Sequence, residues 1–178
     1  MQSTDTKIIN RRQFLRGDFS EKPVAIRPPW AVAEFAFLDT CTRCNECVEK
    51  CPENIIVKAE DAYPVINFDL GGCSFCQDCV AACDAKALSI ISVGQSPWGL
   101  KADISNECIS LHGVMCRSCA DSCDEDAITF QYQVGGVSQP EINQKSCTGC
   151  GFCVVTCPVD SIKISKENTQ EDYDYEHN

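Results

Sequence analysis

Histidine, methionine and tryptophan are each represented only twice in this chain of 178 residues, and aromatic side chains make up 8% of it. So little bulky apolar material cannot fill a core unaided. A chain long enough for one domain or two small ones would need staples. No run of about 18 apolar residues occurs, so no membrane-spanning helix is expected. Neither a G-x-G-x-x-G turn after a strand nor a Walker-type loop is present, so no nucleotide or flavin site is expected. Basic residues are also short: 15 Lys and Arg stand against 26 Asp and Glu, a net charge of -11. Residues 1–27 hold six of the basic and three of the acidic side chains, which leaves the rest of the chain strongly acidic. Such a body lacks the cations that displace counterions from a nucleic-acid backbone, and no nucleic-acid partner is expected.

Cysteine is plentiful instead, at 16 residues, and it falls in a repeat. CTRCNECVEKCP supplies Cys41, Cys44, Cys47 and Cys51; CSFCQDCVAACD supplies Cys73, Cys76, Cys79 and Cys83; CTGCGFCVVTCP supplies Cys147, Cys150, Cys153 and Cys157. A fourth copy keeps Cys116, Cys119 and Cys123 at the same spacing, but Gly113 takes the first position and Cys108 stands five residues upstream of it. Cys108 therefore reads either as a ligand on an enlarged loop or as a small buried hydrophobe beside an altered site.

After each copy comes a short apolar stretch: IIV at 55–57, LSII at 88–91, AITFQYQV at 127–134 and IKI at 162–164. Period-two apolar residues near Gly-Gly or Pro predict strands of small hairpins, clearest for 128–134 against 137–142 and next for 55–58 against 64–68. VEK, VAA, ADS and VVT, between the third and fourth cysteines, predict helical turns with one buried residue each. Phe35, Phe37, Phe75, Phe130, Tyr132 and Phe152 flank the cysteine loops and are expected to shield them from water. The fold class is α+β, with short helices and small antiparallel hairpins.

Three cysteines spaced by two residues wrap a loop around one metal cluster, with backbone N–H groups turned toward the sulfurs. Structural zinc uses two separated C-x-x-C pairs and would strand the third cysteine of each copy. Regular triplets are also poor geometry for disulfides. A Rieske centre needs two histidines near one cluster, whereas His112 reads as a loop residue and His177 lies in the terminal stretch. The spacing points to [4Fe-4S] clusters, and with no detectable place for substrate chemistry the chain reads as an electron carrier, not an enzyme.

The cysteine run resembles that of bacterial two-cluster ferredoxins, in which the fourth cysteine serves the other cluster. The resemblance implies two tandem dicluster modules with four ligand sets. These are Cys41, Cys44, Cys47 with Cys83; Cys73, Cys76, Cys79 with Cys51; Cys108, Cys116, Cys119 with Cys157; and Cys147, Cys150, Cys153 with Cys123. All 16 cysteines are used, for four clusters, or three if the Cys108 copy is not a working site. Asp84 and Asp124 follow two of the fourth cysteines where Pro52 and Pro158 follow the others, so the clusters are not expected to share one potential. The module boundaries are read as a basic segment 1–32, first module 33–98, second module 99–166 and an acidic tail 167–178 expected to be disordered.

RRQFLRG at 11–17, together with RPPWAVAEFAFLDTCTRC leading into the first cysteine loop, resembles the NapF family of ferredoxin-type proteins of periplasmic nitrate reductase systems. That resemblance implies a cytoplasmic protein that interacts with the catalytic nitrate reductase subunit before export and helps insert or reduce its cluster, drawing on an unidentified electron donor. Two other readings stand beside it: a polyferredoxin subunit of another anaerobic oxidoreductase, and a non-redox scaffold stapled by its clusters. RRQFLRG itself looks like a twin-arginine export signal. The stretch after it, GDFSEKPVAIRPPW, is charged and proline-rich rather than apolar, so cytoplasmic retention is expected. A helix from Lys7 to Arg16 with Gly17 as its stop is predicted there. Arg11, Arg12, Phe14, Leu15 and Arg16 are candidates for contacting a partner.

Overall fold

The computed structural model describes residues 25–92, 94–132 and 138–166. Arg11, Arg12, Phe14, Leu15, Arg16 and the predicted helix around them lie outside these residues, as do the acidic tail and the tip of the second hairpin. Among the described residues no helix is long and apolar enough to cross a membrane.

Two modules repeat one plan. In the first, helix α1 (Glu34–Thr40) leads into the first cysteine loop, followed by α2 (Glu46–Glu49), β1 (Ile56–Lys58), β2 (Pro64–Ile66) and α3 (Asp78–Ala81). In the second come β3 (Leu100–Ile104), a 3-10 turn at Ile109–His112, α4 (Ser118–Asp121), β4 (Ile128–Tyr132), β5 (Ser138–Ile142), α5 (Phe152–Val155) and β6 (Ile162–Lys166). The hairpins β1–β2 and β4–β5 are both antiparallel, with Ile56 opposite Ile66 and Ile128 opposite Ile142. In the second module β3 pairs antiparallel with β6, Leu100 opposite Lys166 through Ile104 opposite Ile162, which joins the module's first and last strands.

The first module has the same closing pair in reduced form. Ala31 and Leu88 make a single bridge, flanked by Val32 N–H to Ala87 O at 3.0 Å and Ser89 N–H to Trp30 O at 2.9 Å. LSII at 88–91 is thus not the strand that its composition predicts. Its partner carries Pro28 and Pro29, which have no N–H to extend a ladder, and Ile91 is left 80% exposed. Residues Ile26 to Val32 are bonded into this module: Ile66 N–H donates to Ile26 O at 2.8 Å, and Trp30 N–H to Pro97 O at 2.7 Å.

The helical turns start earlier than expected. Each spans the third cysteine of its copy, and Cys47, Cys79, Cys119 and Cys153 are the buried residues. Val48, Val80 and Val154 are only half-buried. The principal core gathers Phe37, Ile55, Ile56, Phe68, Leu88 and Leu100 around Cys47 and Cys79. A smaller one gathers Ala102, Ile128 and Ile162 around Cys119 and Cys153. Phe37 is fully buried as expected, but Phe35 is 80% exposed, because two positions along α1 turn the ring about 200° away from the core face.

The modules meet through reciprocal packing. Phe68 of the first lies against Gly151 in a cysteine loop of the second, and Phe152 of the second lies against Gly72 beside a cysteine loop of the first. Side chains at either glycine would fill the space these rings occupy, and Gly151 also holds φ +88°.

Candidate iron-sulfur centres

Three of the cysteine loops curl in the same way. Left-handed residues sit two and four positions after the first cysteine: Arg43 and Asn45, Phe75 and Gln77, Gly149 and Gly151. Placing left-handed residues between ordinary ones turns successive N–H groups inward, a concavity suited to negative charge. Only glycine takes this conformation without cost; a non-glycine residue gives up about 1–2 kcal/mol. The fourth loop departs from the rule, since Arg117 has φ -136°. Enlarging the loop between Cys108 and Cys116 has let it fold as the 3-10 turn instead.

A second left-handed residue follows every fourth cysteine by three positions: Asn54, Lys86, Asp126 and Asp160. This turn aims backbone N–H groups back at the sulfur. Leu88 N–H reaches Cys83 Sγ at 3.4 Å, Ala127 N–H reaches Cys123 Sγ at 3.3 Å, and Ser161 N–H reaches Cys157 Sγ at 3.3 Å.

Four cavities of similar size result. Site I, about 360 Å³, is lined by Cys41, Cys44, Cys47 and Cys83, with Phe37 and Leu88 in its wall. Site II, about 330 Å³, has Cys51, Cys73, Cys76 and Cys79 beneath Trp30 and Phe75. Site III, about 320 Å³, has Cys108, Cys116, Cys119 and Cys157 against Phe130 and Ile162. Site IV, about 330 Å³, has Cys123, Cys147, Cys150 and Cys153 against Ile128 and Ile164. Each cavity takes three cysteines from one copy and one from its companion copy, and Cys108 lines site III with the rest. None of the 16 is in a disulfide. Among the described residues no three His, Cys, Asp or Glu side chains gather tightly enough to hold a single ion. The donors are four soft sulfurs within an apolar wall, a set that fits a four-iron cuboid with one thiolate at each iron.

Burial and crowding oppose ionisation of several of these thiols, a cost that iron ligation would offset. Burial, with repulsion from neighbouring thiolates, pushes Cys79 and Cys153 up to about 12. Burial likewise raises Cys47, Cys73 and Cys119 to about 11, where N–H donors offset part of the effect. Cys157 differs. Burial opposes its ionisation too, but the Ser161 hydroxyl and the N–H groups of Val159, Ser161 and Ile162 outweigh it and lower its pKa. Ser161 was not singled out by the cysteine pattern. Its signal was the break in the repeat, since Ile55, Ala87 and Ala127 occupy the same position after the other fourth cysteines.

His112 is exposed and its Nε2 pairs with Asn106 O at 2.8 Å, away from any sulfur. Asp84 and Asp124 are exposed, so water screens much of their effect on the nearby ligands. Phe75, Phe130 and Phe152 are half-buried beside the loops. Trp98 was not anticipated: it packs edge-on against Phe68 at 5.9 Å and Phe75 at 5.5 Å, and its Nε1–H donates to Thr148 O at 2.9 Å. It therefore ties the wall of site II to the loop of site IV.

Models of the 4Fe-4S dicluster domain match residues 40–88 and 113–172. The first span holds all eight cysteines of its module; the second begins after Cys108. The "Ferredoxin-type protein NapF" of Haemophilus influenzae is 45% identical over 165 residues, covering 87% of this chain and 93% of that protein. The chain belongs to the NapF family of ferredoxin-type proteins. The NapF protein of Escherichia coli K12 is 39% identical over 86% of this chain and 92% of its own length. A "Methylamine utilization ferredoxin-type protein MauM" of Methylobacillus flagellatus is 31% identical over 85% and 71% respectively. As a NapF-family member, the chain is a 4Fe-4S ferredoxin-type protein built of two dicluster domains.

Proposed function

We propose that the chain carries single electrons on four [4Fe-4S] clusters, held at sites I to IV by the 16 cysteines. In this reading it assists maturation of the catalytic subunit of a periplasmic nitrate reductase in the cytoplasm, before that subunit is exported. The observation that carries the electron-transfer part is the grouping of the sulfurs into four cavities of nearly equal size, each lined by four cysteines. A cluster bound there supplies one-electron chemistry. The protein contributes the thiolates, the N–H groups aimed at them and the apolar walls that keep water away.

Kinship with NapF proteins supports the nitrate reductase client. Charged, proline-rich sequence after RRQFLRG supports retention on the cytoplasmic side. Arg11, Arg12, Phe14, Leu15 and Arg16 form the proposed contact with the client. Anaerobic iron and sulfide counting should return four clusters per chain, and the tagged full chain should capture the catalytic-subunit precursor from cytoplasm. Recovery only with a membrane dehydrogenase would overturn the maturation role. Unchanged capture after Arg11→Gln and Arg12→Gln would remove that segment from the interface.

A further inference from the structure

Site III differs from the others in what touches its sulfurs. Ser161 is 1% exposed and its hydroxyl lies 3.2 Å from Cys157 Sγ, in addition to the backbone N–H that reaches the same sulfur at 3.3 Å. A metal-bound thiolate has no proton to give, so the hydroxyl donates and the sulfur accepts. Ser161 is fixed in place, since its carbonyl accepts from Ser105 N–H at 2.8 Å. A second hydroxyl, that of Ser118, lies 3.8 Å from Cys116 Sγ. In the regular copies the position of Ser118 holds Glu46, Asp78 and Phe152, and after the other three fourth cysteines the position of Ser161 holds Ile55, Ala87 and Ala127.

Adding an electron to a cluster increases negative charge on its sulfurs. Donors aimed at those sulfurs in a dry cavity stabilise the reduced form and raise the potential. We propose that Ser161 makes site III the highest-potential of the four sites, so that the first electron taken up by the loaded protein rests there. This rests on the four-cluster reading and adds to it a preferred resting place for the electron. The exchange is balanced with dithionite as reductant: each SO₂ radical anion gives up one electron and becomes SO₂, and one oxidised cluster takes that electron.

The anaerobically reconstituted full chain is poised at a series of potentials and its reduced clusters are followed by electron paramagnetic resonance. Ser161→Ala places at 161 the residue already found at 87 and 127, so the local fold accommodates it. The highest midpoint should fall while the other three stay. The reduction equilibrium constant should change by about tenfold, or 59 mV for one electron. Ala127→Ser, at the matching place beside Cys123, should raise a different midpoint. The reduced high-potential site should also show an exchangeable proton coupling that disappears in deuterated solvent and in Ser161→Ala. Four reducible clusters whose highest midpoint is unmoved by Ser161→Ala would overturn the inference and leave the electron-carrying reading intact. Full iron content with no cluster reducible would overturn both, and an empty site III would overturn the inference and the four-cluster count while three working clusters still carried electrons.

Discussion

The backbone N–H of Cys73 donates to the carbonyl of Cys150 across 2.7 Å, bonding a cysteine loop of one module directly to a cysteine loop of the other. Sites II and IV therefore face each other at the join, with Cys73 and Cys150 close enough for their charges to interact. Within each module the sites are neighbours as well, through Cys47 and Cys79 and through Cys119 and Cys153. The four sites follow one another in the order I, II, IV, III, which differs from their order along the chain.

Close approach at this join depends on Gly72. A Cβ there would meet the backbone nitrogen of Phe152 at 2.6 Å, and backbone cannot swing aside as a flexible side chain can. Gly72→Ala should destabilise the holoprotein by about 1–3 kcal/mol, as overpacking typically does. Thermal unfolding under anaerobic conditions checks this, and an unchanged midpoint temperature would show that the join is looser than described.

Trp98 tests the same contact by a different route. Trp98→Phe keeps a ring against Phe68 and Phe75 but removes the donor to Thr148 O. The expected cost is about 0.5–1.5 kcal/mol for a hydrogen bond, more if the carbonyl is left dry. Denaturant unfolding of the two proteins at matched iron content reads the difference.

Cys108 stands off the regular spacing yet lines site III with Cys116, Cys119 and Cys157. Cys108→Ser should weaken or empty that site alone, lowering iron and sulfide by up to one cluster per chain while the other three signals persist. Full iron content with an unaltered site III spectrum would return Cys108 to the role of a small buried hydrophobe.

Stability of the metal-free form should depend on pH in the alkaline range. The thiols of Cys47, Cys73 and Cys119 rise from 9.0 to about 11 in the folded chain, and those of Cys79 and Cys153 to about 12. Above pH 9 the unfolded chain loses these protons first, so the folded state binds more of them and stability falls as pH climbs toward 11 or 12. Below pH 9 these thiols are neutral in both states and their contribution is constant. Circular dichroism melts of apoprotein from pH 8 to 11 follow the trend, and a flat profile would contradict it.

Legibility in the sequence was uneven, for physical reasons. Ligand spacing is a local constraint, because a loop must present three sulfurs to one cage within a few residues, and CTRCNEC states it outright. Hairpins at Ile56 and Ile128 followed from alternation and the turns between their strands. The helical turns lie one or two residues before VEK, VAA, ADS and VVT because the cavities draw the third cysteine inward and the turn forms around it. Leu88 to Ile91 has strand composition, but a strand needs a partner, and Pro28 and Pro29 withhold one.

The sequence by itself determined the cysteine register within each loop and the hairpin strands at Ile56 and Ile128, since both rest on the chemistry of neighbouring residues. Tertiary structure decided the relations between distant residues. It set Cys73 against Cys150, seated Phe68 and Phe152 on opposing glycines, and brought the Ser161 hydroxyl to Cys157. Spacing could not reveal these, because packing between modules depends on which surfaces close on each other, and no local period records that.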